Sequence, residues 1–204
     1  MSRWFTLAAG LVLAAGLGAV AQDPPPDAPK ARTVKAPEGW KLVKPKDKYF
    51  AFFVPKDVVV EEFTEGALGA GGVAGKTLTY TGTLADRREY VVVHTTLSGR
   101  AAGEMKESDV FQALYEADKG KTGAAVSRPK EIAVGARTGQ EYYVTGNGAV
   151  RRVVTVVVPG RALQLSVVAD RRDKVTDKDS TTFLTSLLLQ AVPKADGEKK
   201  APPA

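Results

Sequence analysis

One stretch constrains the fold more than any other: AVRRVVTVVVPGRALQLSVVAD, residues 149–170. Valine dominates both halves, and β-branched side chains stiffen χ1 and favour extended, pleated backbone. Pro159-Gly160 falls in the middle and marks a tight turn between two strands. If that dipeptide is the tip of an antiparallel hairpin, residue 158 faces residue 161, and Arg151 lies opposite Val168. A chain built around such a hairpin must contain a sheet. With no cysteine in the sequence, disulfides, thiol catalysis and a lipid-anchoring thiol are all excluded, so the sheet must be held by a hydrophobic core.

Other segments repeat the two-residue period. YFAFFVP at 49–55 puts aromatics on both faces, as in a strand covered on two sides. VVVEEF at 58–63 reads as a second strand. In KTLTYTGTL, from Lys76, Leu78, Tyr80 and Leu84 share one face and Thr77, Thr79, Thr81 and Thr83 the other. EYVVVHTTL at 89–97 is largely apolar on both faces and reads as central. Ser108 is the expected cap of a helix running to Lys119, with Val110, Phe111, Leu114 and Tyr115 on one stripe and Gly120 as its stop. Short strands follow at 130–134 and 140–145, then the Gly146-Asn147-Gly148 turn and the hairpin. Asp177 or a neighbour caps a final helix in which Phe183 pairs with Leu187 and Leu184 with Leu188, ending before Pro193. The layout is α+β: a mainly antiparallel sheet with helices on both faces, because strands apolar on both sides need two covers.

The ends differ from the middle. Residues 1–21, MSRWFTLAAGLVLAAGLGAVA, carry one cation, an apolar run and the small-x-small triplet Ala19-Val20-Ala21, the pattern of a cleaved signal peptide. An uncleaved membrane anchor is the alternative. Residues 22–48 are rich in Pro and Lys and read as a linker, and residues 191–204 as a polar tail, leaving one domain at 49–190. The formal net charge of +6 is uneven: the linker holds seven cations against four carboxylates, whereas the domain holds 18 against 17. A basic arm of this kind can touch anionic surfaces, but a near-neutral domain offers nucleic acid no basic stripe.

The segments YFAFFVP, GQEYYVTGNG, RRVVTVVVPGRALQLSVV and FLTSLL together resemble the PsbP-like α/β/α sandwich superfamily, over roughly residues 47–190. That group includes an extrinsic photosystem protein, a Ran-binding nuclear import factor and many exported bacterial proteins. The resemblance implies the sandwich fold and a non-enzymatic adaptor or binding habit. It carries no site residues across, since no functional motif of its members stands in this chain.

Chemistry-bearing patterns mostly dissolve on inspection. AGGVAGKT at 70–77 is loosely a phosphate-binding loop, and Gly69, Gly71 and Ala74 loosely a dinucleotide fingerprint. Both need a helix N-terminus directly after the glycines, and strand formers follow instead, so the glycines read as a loop between strands. His94 is the sole histidine, which removes any multi-histidine metal site, and on a central strand it reads as a packed interior group. Ser98-Gly99 lacks the flanking glycines of a nucleophile elbow. Glu61 and Glu62 are adjacent in a strand and point to opposite faces. Asp170, Asp173, Asp177 and Asp179 miss the spacing of a calcium loop. The remaining candidate is a cluster of four arginines, Arg151, Arg152, Arg171 and Arg172, gathered at the open end of the hairpin. Such a group can grip a carboxylate, sulfate or phosphate of a partner. It can equally be a solvated rim neutralised by Asp170 and Asp173.

No catalytic residues, metal, nucleotide or other cofactor follow from the sequence. The expectation is an exported, non-enzymatic binding or accessory module of the cell envelope that docks on a protein partner. The alternatives are a structural envelope protein held to wall or membrane by its basic linker, or an enzyme without a recognisable motif.

Overall fold

The computed structural model describes residues 35–46, 48–70, 73–121 and 123–189, with residues 64–70 by backbone alone. The expected signal peptide, most of the linker and the polar tail lie outside the described residues. The chain divides into two units, Met1–Lys35 and Ala36–Ala204, and every element below belongs to the second.

The larger sheet has eight strands. They are β3 (Glu61–Ala70), β4 (Val73–Thr83), β5 (Glu89–Ser98), β6 (Ala125–Val126), β7 (Lys130–Val134), β8 (Arg137–Gly146), β9 (Ala149–Val158) and β10 (Arg161–Ala169). Their spatial order is β3-β4-β5-β10-β9-β8-β6, with β7 also paired to β8, and every pairing is antiparallel. The valine-rich hairpin sits at the middle of this order. Arg161 pairs with Val158 and Arg151 with Val168, the register expected from a tip at Pro159-Gly160. Gly160 has φ +72°, the left-handed value such a tip requires.

The smaller sheet joins β1 (Trp40–Val43), β2 (Phe50–Pro55) and β11 (Leu188–Leu189) in the order β1-β2-β11. It departs from expectation twice. Trp40 to Val43 lie in the segment read as linker, so the folded unit begins at Ala36 rather than at residue 49. Trp40 is 8% exposed, and its burial against β2 is what orders a stretch whose prolines and lysines look like linker. The last helix also ends earlier than its leucine periodicity suggests. Ser186 Oγ accepts a hydrogen bond from the Phe53 amide at 3.0 Å and donates to the Phe183 carbonyl at 2.7 Å. These bonds draw the chain off the helix, and Leu188 and Leu189 pair with Ala51 and Phe50.

Helices cover both faces of the larger sheet. On one side α1 (Arg100–Gly103) and α2 (Glu107–Lys119) pack Val110 and Leu114 against Val73, Leu97 and Ala162, and Phe111 and Tyr115 against Tyr142 and Val153. Lys106, not Ser108, precedes the first turn of α2, with no side-chain cap. On the other side α3 (Arg172–Thr176) and α4 (Lys178–Leu184) share the face with the smaller sheet. There Phe50, Phe52, Tyr80, Tyr90 and Phe183 form a chain of ring contacts inside the main core. Asp177 caps α4 as expected, accepting from the Ser180 amide at 2.7 Å. The result is an α+β fold, a mainly antiparallel sheet between helical layers. Among the described residues no helix is long and apolar enough to cross a membrane.

Candidate functional site

The open end of the β9–β10 hairpin is where four arginines were expected to meet. Strand alternation divides them instead. Arg151 and Arg152 are neighbours on β9, so their side chains leave opposite faces of the sheet, and each is engaged by a buried carboxylate on its own side.

On the α2 side the carboxylate is Asp118, in the last turn of the helix and 4% exposed. A negative charge there opposes the helix dipole and needs compensation. Lys121 and Arg151 supply it: Lys121 Nζ donates to Oδ1, and an Arg151 Nη approaches the same oxygen at 3.4 Å. Tyr142 donates its hydroxyl to Oδ2 at 2.8 Å, and Gln164 donates to the Tyr142 hydroxyl oxygen at 3.3 Å. Burial pushes the Asp118 carboxyl up, but the Arg151 charge and the bonds from Lys121 and Tyr142 outweigh it and hold it below the usual range. Tyr142 moves the other way, raised by burial and then by the Asp118 charge it faces.

On the opposite face the carboxylate is Glu141 of β8, 1% exposed. Arg152 Nε donates to Oε1 at 2.7 Å, and Lys130 Nζ stands 2.8 Å from Oε2. Arg152 also donates to the Thr181 hydroxyl at 2.9 Å and to the Val175 carbonyl at 3.2 Å. One guanidinium therefore ties β8 and β9 to α3 and α4. Burial again raises the Glu141 carboxyl, and the hydrogen bonds from Lys130 and Arg152 overcome it and leave it low.

Arg171 and Arg172 stay outside. The Arg171 side chain is 65% exposed and pairs with Asp173 at 3.1 Å. Arg172 lies over the Tyr143 ring, 4.6 Å from its centroid, a cation–π contact. The structure thus joins Arg151 to the α2 layer, joins Arg152 to α3 and α4, and leaves Arg171 and Arg172 on the rim.

The other singled-out residues have structural places. Asp170 pairs with Lys174 at 3.0 Å, and Asp177 caps α4 while pairing with Arg88. His94 is 1% exposed, with Arg161 2.9 Å from its Nε2. A guanidinium can only donate, so Nε2 is the acceptor and this ring nitrogen carries no proton. Arg161 in turn stacks on the Tyr49 ring at 3.4 Å. The glycine-rich segment is strand on both sides of residues 71–72, with β3 pairing to β4 as far as Ala70 and Val73. Gly75 is there for proximity: a Cβ would stand 2.6 Å from both Thr95 Cγ2 and the Thr96 carbonyl oxygen of β5. Glu61 and Glu62 open β3, opposite Thr81 and Tyr80.

The buried groups that organise this end, Asp118, Glu141 and Tyr142, escaped the sequence reading. Asp118 sits in a helical turn that also reads as solvated. Glu141 carried a usable signal, because pairing β8 to the hairpin sets Tyr143 against Arg152 and leaves Glu141 two residues away on the same face.

These features define a class: an α/β/α sandwich whose charged clusters join its layers. No family model matches the chain, and no curated protein matches it in sequence. Among solved structures, the solution structure of cyanobacterial PsbP (CyanoP) from Synechocystis sp. PCC 6803 matches with a TM-score of 0.50. The match covers 76% of this chain and 95% of that one, at 12% sequence identity. The chain has a PsbP-like fold.

Proposed function

We propose that the protein is an exported, non-enzymatic accessory module of the cell envelope that docks on a protein partner. The observation that carries this reading is the saturation of the buried charges. Asp118 and Glu141 are both held ionised by two cations each, and Tyr142 is held protonated by burial and then by the carboxylate it faces. A general acid or base needs a pKa near the working pH, and these shifts run away from it. The charges hold layers together, and the rim, with Arg171 and Arg172, is left for contact with a partner. The PsbP-like fold is in keeping with such a role, and the apolar, small-x-small leader at residues 1–21 supports export.

A cross-linked pull-down from the native envelope tests it, with the mature chain and a chain starting at Ala36 as baits. One stoichiometric protein partner, kept by both baits, is the expected result. Recovery of wall or lipid material only with the longer bait would replace docking by attachment through the basic segment.

A further inference from the structure

Among the described residues the larger sheet has one long strand with an open side: β3 ends the strand order and pairs there with β4 alone, and it runs for ten residues. Other terminal strands among the described residues are short: four residues in β1, two in β11, two in β6 and five in β7. An unpaired edge offers a row of backbone donors and acceptors to any extended chain, and proteins usually shorten or cover such edges. Here the edge also carries side chains suited to a partner. Val59 and Phe63, 73% and 46% exposed, are the exposed large hydrophobics of the described residues; Phe63 is the third residue of β3 and Val59 lies two residues before it begins. The strand sequence EEFTEGALGA has three carboxylates and no cation, and Glu61 and Glu62 are exposed.

We propose that the first half of β3 receives an extended basic segment of a protein partner as an added strand. The register supports this placement. Phe63, Thr79 and Val93 form one rung across β3, β4 and β5, and Val93 is only partly buried. An apolar side chain on the incoming strand extends that rung on the face that Phe63 shares with Glu61, while its cations, on the other face, meet Glu62. The bulge between Glu65 and Ala67 ends the regular edge, so the docking stretch is residues 61–65. A second copy of this chain is the wrong occupant, because β3 against β3 sets carboxylates against carboxylates. The proposal rests on the docking reading above and names its surface and the chemistry of its partner.

The test uses the full chain with a synthetic heptapeptide of alternating lysine and valine, and a glutamate–valine peptide as its counterpart. Hydrogen exchange maps the contact, and fluorescence anisotropy reads affinity at low salt and at about 0.5 M salt. The lysine peptide is expected to slow exchange in residues 61–65 and to bind at least about tenfold more weakly at high salt. The Glu61→Lys/Glu62→Lys variant is expected to reverse the preference and bind the glutamate peptide. That gain cannot come from misfolding. Protection elsewhere with none in β3, or a preference that charge reversal leaves unchanged, overturns the proposal. Envelope pull-downs with both proteins separate the two readings. A partner held equally by the wild type and the variant overturns the edge and keeps docking. Reversal of peptide preference without any envelope partner keeps the edge and removes docking.

Discussion

Arg152 and Glu141 face each other inside the protein, Nε to Oε1 at 2.7 Å, and the same guanidinium reaches Thr181 on α4. The pair joins two strands to the helical layer that covers them. Removing the guanidinium leaves the buried Glu141 charge with Lys130 alone and takes the donor from Thr181 and the Val175 carbonyl, which costs more than the pair itself contributes. Arg152→Ala is therefore expected to destabilise the fold by about 3–5 kcal/mol. Urea unfolding reads the loss. A midpoint unchanged from wild type would show that the guanidinium belongs to a rim after all.

Stability follows pH through the same clusters. The Asp118 and Glu141 carboxyls are lowered from their ordinary 3.8 and 4.5, so their contribution is complete above those values. It drains as the pH falls below them through the lower folded-state values. Tyr142 and Tyr90 are raised from 10.0, Tyr90 to about 12, each chiefly by burial, so stability falls again as the pH rises above 10. Urea midpoints are expected to stay level between about pH 6 and 8 and to drop steeply below about pH 4. A level midpoint down to about pH 2.5 would mean that neither carboxylate holds the fold.

Gly75 offers a separate check on the glycine-rich segment. A Cβ at this position meets the β5 backbone at 2.6 Å, so the cost of adding one is steric. Gly75→Ala is expected to destabilise by about 1–3 kcal/mol, the range of overpacking a tight contact. Magnesium ATP is expected to leave the thermal midpoint of the wild type unchanged. Stabilisation by ATP that vanishes in the variant would restore the phosphate-loop reading.

How much of this was legible depends on whether the signal was local. The β9–β10 hairpin announces itself, because valine alternation and Pro159-Gly160 agree with the tertiary structure, and its register follows from the tip. β1 does not. WKLV is four residues among prolines and lysines, and only burial of Trp40 against β2 makes it a strand. The end of α4 was hidden for a related reason. Its leucines keep helical spacing past Leu184, but the Phe53 amide takes Ser186 as a partner from 133 residues away. The arginine cluster was misjudged at short range. Placing Arg151 and Arg152 at one end of a hairpin was right, and the two-residue period then sends them to opposite faces.

Trp40 permits a test of the boundary between linker and fold. Burying a large aromatic in a core contributes several kcal/mol, and Trp40→Ala is expected to cost about 3–5 kcal/mol. A chain starting at Tyr49 loses all of β1 and uncovers one side of β2, so it is expected to unfold at lower urea than one starting at Ala36. Equal midpoints for the two would return β1 to the linker.

The rim arginines call for a different experiment, since their loss should not touch the fold. Arg171 is 65% exposed beside a 69% exposed Asp173, and exposed pairs of this kind contribute little. Arg172 has a Tyr143 ring beneath it, which fixes the guanidinium plane while leaving the group accessible at the surface. Arg171→Gln with Arg172→Gln is expected to shift stability by less than about 1 kcal/mol. If the rim contributes to docking, partner binding in the envelope pull-down weakens by at least about tenfold, and more at low salt than at high. Arg151→Gln provides the contrast. It withdraws a cation from Asp118, so it is expected to lower stability at neutral pH and, by moving the folded-state carboxyl back up toward its ordinary value, to shrink the loss of stability below pH 3.8. If the rim double variant binds the partner as the wild type does, these two arginines are solvated surface, and contact must be sought elsewhere on the molecule.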